Sequence, residues 1–405
     1  MAASGRRHIT AGYIPLLDGA ILVAAREIGF AADEGIDLTL MRETSWANIR
    51  DRVAVGQFDL AHMLAPMPIA AALGLSPLEG RVIAPFALGL GGNAVTVSNA
   101  LWRRMADAGA PADGDAAGVG KALSKVVADL PGDRLRFGVV HPFSGHNYEL
   151  RYWLAASGID PETAVEIVII PPSLMPDALA AGRVDGYCVG EPWNSVAVMA
   201  GTGRIATVKA SIWRSSPEKV VGVNADWAKA NAETLTALLR ALYRAAEWCG
   251  GSGNHGELAR LLAAPGRLGT SQRAIAPALS GRLDFGGGTE VAIPDFFVPF
   301  AKAATFPWVS HALWFYSQMV RWGHARHSAR GAALARASYR PDLYRDALEP
   351  LDVPIPSASA KVEGAFAVET PVGVTSGTLC LGPDGFFDGE VFDPDDLDAY
   401  IARYF

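Results

Sequence analysis

The sequence predicts an α/β protein of two lobes that face each other across a ligand cleft. Two observations carry this: one order of elements is stated twice along the chain, and each statement closes its first strand in a polar turn. Residues 10–62 run through an apolar strand (Thr10 to Ile14), a turn (Pro15 to Gly19) and a helix ending near Gly29. Gly35-Ile36-Asp37, a strand, a helix and Gly56-Gln57-Phe58-Asp59 follow. Residues 135–190 repeat the order with Arg136 to Val140, Pro142 to Gly145, a helix, Gly158-Ile159-Asp160, Glu166 to Ile170, a helix and Gly182-Arg183-Val184-Asp185. Two such units in one chain read as two lobes, and a cleft between lobes is a place to capture a small molecule.

After the first unit comes a strand at Val82 to Ala87. Gly91-Gly92-Asn93 then reads as a glycine turn opening a β-branched strand to Ser98 that leads out of the first lobe. Ala108 to Ala117 reads as an exposed connection. Lys219 to Val223 is a short strand, and it precedes a long helix from about Ala232 to Trp248, where Leu235, Leu238, Leu239 and Leu242 keep helical spacing. That helix is expected to return to the first lobe. The resulting division is 8–97 for the first part of lobe 1, 98–212 for lobe 2, 213–345 for the return to lobe 1 with a helical region, and 346–405 for a C-terminal extension. The tail from Pro354 alternates strand-like and turn-like pieces without a clear placement.

Composition narrows the function. Half of the 405 residues are hydrophobic and under a fifth are charged, enough to bury two cores. A net charge of −7 argues against a general nucleic-acid surface, yet leaves room for an anion in a cleft with its own local field. Cys188, Cys249 and Cys380 are odd in number and far apart, which gives neither a disulfide framework nor metal-ligand spacing. Nothing reads as a phosphate loop, an HExxH or CxxC metal site, or a nucleophile beside a base. No stretch reaches the ~18 apolar residues of a membrane span. Met1 to His8 runs straight into the first strand without an apolar leader, so a soluble cytoplasmic protein is expected.

Several segments together resemble the nitrate and bicarbonate solute-binding proteins of ABC transporters. They are Gly12-Tyr-Ile-Pro-Leu-Leu-Asp18, Ser45-Trp46-Ala-Asn-Ile-Arg-Asp51, Ala61-His62-Met-Leu-Ala-Pro66-Met-Pro68, Gly92-Asn93-Ala-Val-Thr-Val97, Arg151-Tyr-Trp-Leu-Ala155, Gly186-Tyr-Cys-Val-Gly190-Glu-Pro-Trp-Asn194 and Pro217-Glu-Lys219. The resemblance covers most of residues 9–345 and implies the two-lobe type II periplasmic-binding-protein fold. Lacking a leader, the chain resembles in particular the cytoplasmic nitrate/nitrite sensors, which hold an ANTAR-type RNA-binding antiterminator until ligand arrives. The implied function is a nitrate/nitrite-binding sensor with that antiterminator as partner, and without direct nucleic-acid or membrane contact. The alternative is the substrate-binding protein of a nitrate or bicarbonate ABC transporter.

The resemblance also implies a binding set: Trp46, Gly92 with Asn93, His146, Pro172, Val189 with Gly190, and Lys219. Nitrate is an acceptor-only monoanion, so its neighbours should be hydrogen-bond donors or cations, with carboxylates kept out of contact. Trp46, Asn93 and His146 offer side-chain N–H groups, Gly190 permits a close backbone approach, and Lys219 supplies charge. The implied bicarbonate binders place a glutamate where Lys219 stands, to accept the ligand's O–H. Leaving that proton unpaired costs about 1–3 kcal/mol, which favours nitrate or nitrite. Taken singly, Trp46 is more ordinarily a packing residue, His146 a solvated histidine of a turn, His62 structural, Lys219 a surface lysine, and Glu191 points to solvent or a hinge partner. Their joint occurrence in order raises the ligand reading. Pyrimidine-precursor synthases of the same fold use a histidine and a lysine with pyridoxal phosphate, but no reaction centre is visible here. Binding without chemistry, and without a cofactor or metal, is the expectation.

Overall fold

Short runs of Val, Ile and Leu, closed by glycine or polar turns, form the strands that frame the molecule. In chain order they are β1 (Arg7–Tyr13), β2 (Ile36–Arg42), β3 (Leu60–Leu64), β4 (Val82–Ala87), β5 (Asn93–Ser98), β6 (Leu135–Val139), β7 (Val165–Ile169), β8 (Gly186–Gly190), β9 (Gly203–Val208) and β10 (Lys219–Asn224). The computed structural model describes residues 6–76, 81–130, 132 and 134–405; residues 1–5, on which the leader expectation partly rests, lie outside the described residues.

Two five-stranded sheets result, ordered β2-β1-β3-β10-β4 and β7-β6-β8-β5-β9. In the first, β1 runs parallel to β2 and β3, and β10 enters antiparallel with Lys219 opposite Leu64. The second copies it: β6 is parallel to β7 and β8, and β5 enters antiparallel with Asn93 opposite Gly190. The internal echo of the sequence is therefore a repeated sheet. Each lobe borrows its antiparallel strand from the chain beyond its own repeat, which makes two crossings between lobes. The first crossing lies ahead of Asn93. Because β5 pairs with β8 and β9, the boundary placed between residues 97 and 98 falls too late, and the strand to Ser98 belongs to lobe 2. The signal is subtle because a β-branched strand reads the same in either sheet.

Helices cover the sheets with their apolar faces. Ala232–Gly250 packs on Ala20–Glu27 in lobe 1, with Leu238, Leu239 and Leu242 fully buried, each stabilising by about 1.5–3 kcal/mol. Further on, the chain touches both lobes. Val309–Arg321 packs on Gly145–Ala156 of lobe 2, where the Tyr148 hydroxyl is 2.8 Å from His324 Nδ1. The Tyr339 hydroxyl donates to the Ala65 carbonyl of lobe 1 at 3.0 Å. The segment 213–345 is thus a brace across the lobes as well as a return.

The C-terminal extension is bound to the segment that joins the lobes. Phe386 stacks on Trp213 with centroids 4.5 Å apart, and Arg214 N–H donates to Gly385 O at 3.0 Å. Arg345 donates to the carbonyls of Pro356, Ser357 and Ala358, fixing the start of the tail. Its anchors are single long-range contacts, which leave no periodicity to read. Among the described residues, no helix is long and apolar enough to cross a membrane.

Candidate ligand-binding site

Strand ends, strand starts and the first turns of helices carry the polar side chains: His62, Asn93 and Lys219 stand in strands, Trp46, His146 and Lys209 open helices, and Asp18 lies in the turn after β1. Ser45 caps the helix Trp46–Ala54 by accepting from Ala47 N at 3.2 Å and Asn48 N at 3.4 Å, which holds Trp46 at its first position. The Trp46 ring stands edge-on to His62 with centroids 5.2 Å apart, and the Lys219 ammonium lies 5.5 Å from its centre. In lobe 2, Ser144 caps Gly145–Ala156 by accepting from Asn147 N at 3.0 Å, which fixes His146 in the first turn. Two glycines are needed for close approach. A Cβ at Gly190 would stand 3.2 Å from Asn93 Oδ1 and 3.8 Å from Asp18 Oδ2, and one at Gly145 would stand 2.5 Å from Glu218 Oε2.

A buried chain of alternating charge runs through the cluster. His62 Nε2 is 2.9 Å from Asp18 Oδ1, and Lys219 Nζ donates to Asp18 Oδ2 at 2.8 Å. The same ammonium donates to Glu218 Oε1 at 2.5 Å; Glu218 Oε2 in turn accepts from Lys209 Nζ at 2.5 Å. Lys209 also lies 2.7 Å from Glu149 Oε1 and donates to the Pro217 carbonyl at 2.6 Å. His146 Nδ1 approaches Glu218 Oε1 at 3.4 Å. All of these side chains are buried.

This overturns one expectation. Carboxylates are in contact with Lys219, so its charge is neutralised within the protein instead of standing free for a ligand. An unpaired ammonium at this depth would cost several kcal/mol, and Asp18 and Glu218 remove that cost. An acceptor for the O–H of bicarbonate is consequently at hand, so Lys219 by itself does not exclude that ion. The signal was present in the quoted motifs, since Asp18 ends the first and Glu218 directly precedes Lys219. Sequence reasoning also missed Glu149 and Lys209, which have no neighbour in sequence to betray them.

Burial sets the protonation states. Burial works to raise Asp18, but Lys219 and His62 hold it at about 2. Glu218 likewise resists burial and is held below the usual carboxylate range by His146, Lys209 and Lys219. Glu149 goes the other way, pushed up to about 8 by burial and by the Glu218 charge despite Lys209. Burial lowers His146 to about 3, against the pull of Glu218, so its imidazole is neutral near pH 7.

The structure brings Trp46, Asn93, His146, Gly190 and Lys219 together. Trp46 Nε1, both amide atoms of Asn93 and both ring nitrogens of His146 are buried without a hydrogen-bond partner among the described residues. Such atoms each cost about 1–3 kcal/mol when left unmade, so a cluster of them in one cleft marks a place built for a polar guest. Val189 pairs with Ala94 beside Asn93, but its carbonyl already accepts from Asn194 Nδ2 at 2.9 Å. The N–H of Gly92 is likewise taken, donating to Phe296 O at 2.5 Å, so Gly92 shapes the turn and is not a free donor. Pro172 opens the turn after β7, and among the described residues no hydrogen bond or ion pair ties it to the cluster. His62 orients Asp18 and packs on Trp46, a structural role inside the site. Glu191 is fully buried and accepts from Ser195 N at 3.2 Å, so it does not point to solvent.

The lobes touch directly at the mouth of the cluster. Leu17 N–H donates to Glu191 O at 2.8 Å, and Trp193 Nε1 donates to Pro15 O at 3.1 Å. Both bonds join the first turn of lobe 1 to the loop after β8 in lobe 2.

Comparison with known proteins places this geometry. The nitrate/nitrite binding protein NrtA of Synechococcus elongatus is 33% identical over 98% of this chain and 85% of its own length. The bicarbonate transport ATP-binding protein CmpC of Synechocystis is 34% identical over 98% of this chain, which spans only 55% of that relative. The crystal structure of the periplasmic nitrate-binding protein NrtA from Synechocystis superposes with a TM-score of 0.85 at 28% identity, covering 98% of both chains. The fold is that of the periplasmic binding proteins, and the relationship is to a binding-protein family, not to enzymes. With the NMT1-like family matching residues 2–263, more than half of its length, the chain belongs to that family and, within it, to the nitrate and bicarbonate solute-binding group.

Proposed function

We propose that this protein is the solute-binding component of an ABC transport system and captures nitrate or nitrite between its lobes. One observation carries the reading: buried, unpartnered N–H groups gather at the Asp18–Lys219–Glu218 group, Trp46 with its ring 5.5 Å from the Lys219 ammonium, His146 3.4 Å from Glu218, and Asn93 beside Gly190, next to Asp18. A small acceptor-only anion can receive all of them at once, as neither a cation nor an apolar ligand can. Relatives named for nitrate support that anion, and a relative named for bicarbonate transport keeps bicarbonate in the test. Isothermal titration of the whole chain with nitrate, nitrite, bicarbonate and chloride tests it. Saturable one-site binding of nitrate or nitrite, tighter than that of chloride, is expected; heat from none of the oxyanions would end the proposal.

A finer reading makes the same cleft a cytoplasmic sensor that releases an ANTAR-type antiterminator when nitrate closes the lobes. Its support is the sequence resemblance, whereas the named relatives support transport and hence a location outside the cytoplasm. Linkage separates the two. A partner that prefers open lobes must weaken nitrate binding by the same factor with which nitrate weakens the partner. Equal nitrate affinity with and without the antiterminator would leave transport alone.

A further inference from the structure

We infer that Asp18 and Glu218 make the cleft selective for singly charged oxyanions over doubly charged ones. This rests on the anion-binding reading above and adds the class of anion. The two carboxylates embrace the Lys219 ammonium at 2.8 and 2.5 Å, and Glu218 also takes the Lys209 ammonium at 2.5 Å. Both ammoniums are therefore already bonded to carboxylates, and His62 Nε2 itself lies 2.9 Å from Asp18 Oδ1. Glu149, pushed up to about 8, closes the far end in its neutral form near pH 7, and the imidazole of His146 adds no charge.

In such a setting one incoming negative charge is held by N–H dipoles, as the Trp46, Asn93 and His146 donors allow. A second negative charge finds each cation of the cluster already facing a carboxylate. It also sits beside Asp18, 3.8 Å from where a Gly190 Cβ would be, and beside Glu218, which reaches in over Gly145. Like charges this close in a desolvated site repel strongly, so the carboxylates act against dianions more than they act against monoanions. Asp18 and Glu218 are thus specificity-determining residues that accept from Lys219 and act on the ligand through their charge.

Competition titrations against nitrate, using perchlorate and sulfate, test this because the two ions share a tetrahedral shape and differ in charge. With the unaltered chain, sulfate should compete at least a hundredfold less well than nitrate. Asp18→Asn and Glu218→Gln should each raise the affinity for sulfate relative to perchlorate by tenfold or more. Sulfate binding within tenfold of nitrate in the unaltered chain would overturn the inference, as would an unchanged sulfate-to-perchlorate ratio in whichever of the two variants folds. Failure of nitrate itself to bind the unaltered chain is a different result, and would remove the anion reading together with this one.

Discussion

Asn93 and Lys219 occupy the same place in the two lobes. Each is the first residue of the antiparallel strand of its sheet, Asn93 opposite Gly190 at the end of β8 and Lys219 opposite Leu64 at the end of β3. The fold's internal repeat thereby delivers one amide and one ammonium to the cleft from corresponding positions. They differ in how they are held, since Lys219 is bonded to two carboxylates while neither amide atom of Asn93 has a partner among the described residues.

That difference makes Asn93→Ala a binding variant more than a stability variant. The amide contributes no internal hydrogen bond, so the thermal midpoint should shift little. Nitrate affinity should fall roughly tenfold, the worth of about 1–1.5 kcal/mol for one hydrogen bond. Calorimetric titration paired with a melting curve checks both. A large drop in melting temperature with intact nitrate affinity would show that Asn93 is a packing residue.

Lys219 should behave in the opposite way. Lys219→Met strands Asp18 and Glu218 in a buried site, and removing one member of such a network costs about 3–5 kcal/mol. Denaturant unfolding should show this loss without any ligand present. Adding Asp18→Asn and Glu218→Gln to the same chain should return much of it. A Lys219→Met protein as stable as the parent would mean that the ammonium is not balanced by these acids.

How legible was the site? The repeated order of turns and strands disclosed both lobes, because each glycine turn and apolar run is a local signal. Trp46 and Lys219 came through the resemblance in their surrounding motifs, and His146, outside those segments, through the binding set it implies; each lies where burial denies it an ordinary surface role. Asp18 and Glu218 stand within those motifs without showing their role, since an anion site suggests cations and the depth at which Lys219 is buried appears only in the fold. Lys209 and Glu149 were illegible for another reason. They meet from Lys209–Ile212 and Gly145–Ala156, and only the folded chain brings those helices together.

The raised carboxyls give a pH signature. Glu191 is pushed up to about 7 by burial, against the help of its bonds to Ser195 and Asn194. In the unfolded chain it ionises near an ordinary glutamate value of about 4.3, so the folded state binds the extra proton between that pH and 7. Stability from this group is complete below the lower value and is lost as pH rises to 7. Glu149, raised to about 8, extends the decline. His146, lowered to about 3, and His141, lowered to about 4, act in the opposite sense below the unfolded histidine value, so the difference reads Glu191: unfolding free energy of the parent relative to Glu191→Gln should fall between pH 4.5 and 7. An unaltered slope would mean that Glu191 is ionised in the folded protein.

Closure of the lobes can be tested at Trp193. Its Nε1 donates to the Pro15 carbonyl at 3.1 Å, a bond between lobe 2 and lobe 1 that exists only while the two are together. Trp193→Phe keeps most of the apolar contact and deletes the donor. The closed state then loses about 1 kcal/mol that the open state never had, and ligand affinity falls by the share of closed molecules lost. Nitrate should bind about fivefold more weakly, chiefly through faster release, because the change weakens the closed state and leaves the open cleft as accessible as before. Stopped-flow exchange of bound nitrate reads the release rate directly, and small-angle scattering reads the lobe separation. If release and scattering both matched the parent protein, the bond would be incidental, and closure would rest on the Leu17 to Glu191 contact and the buried cluster behind it.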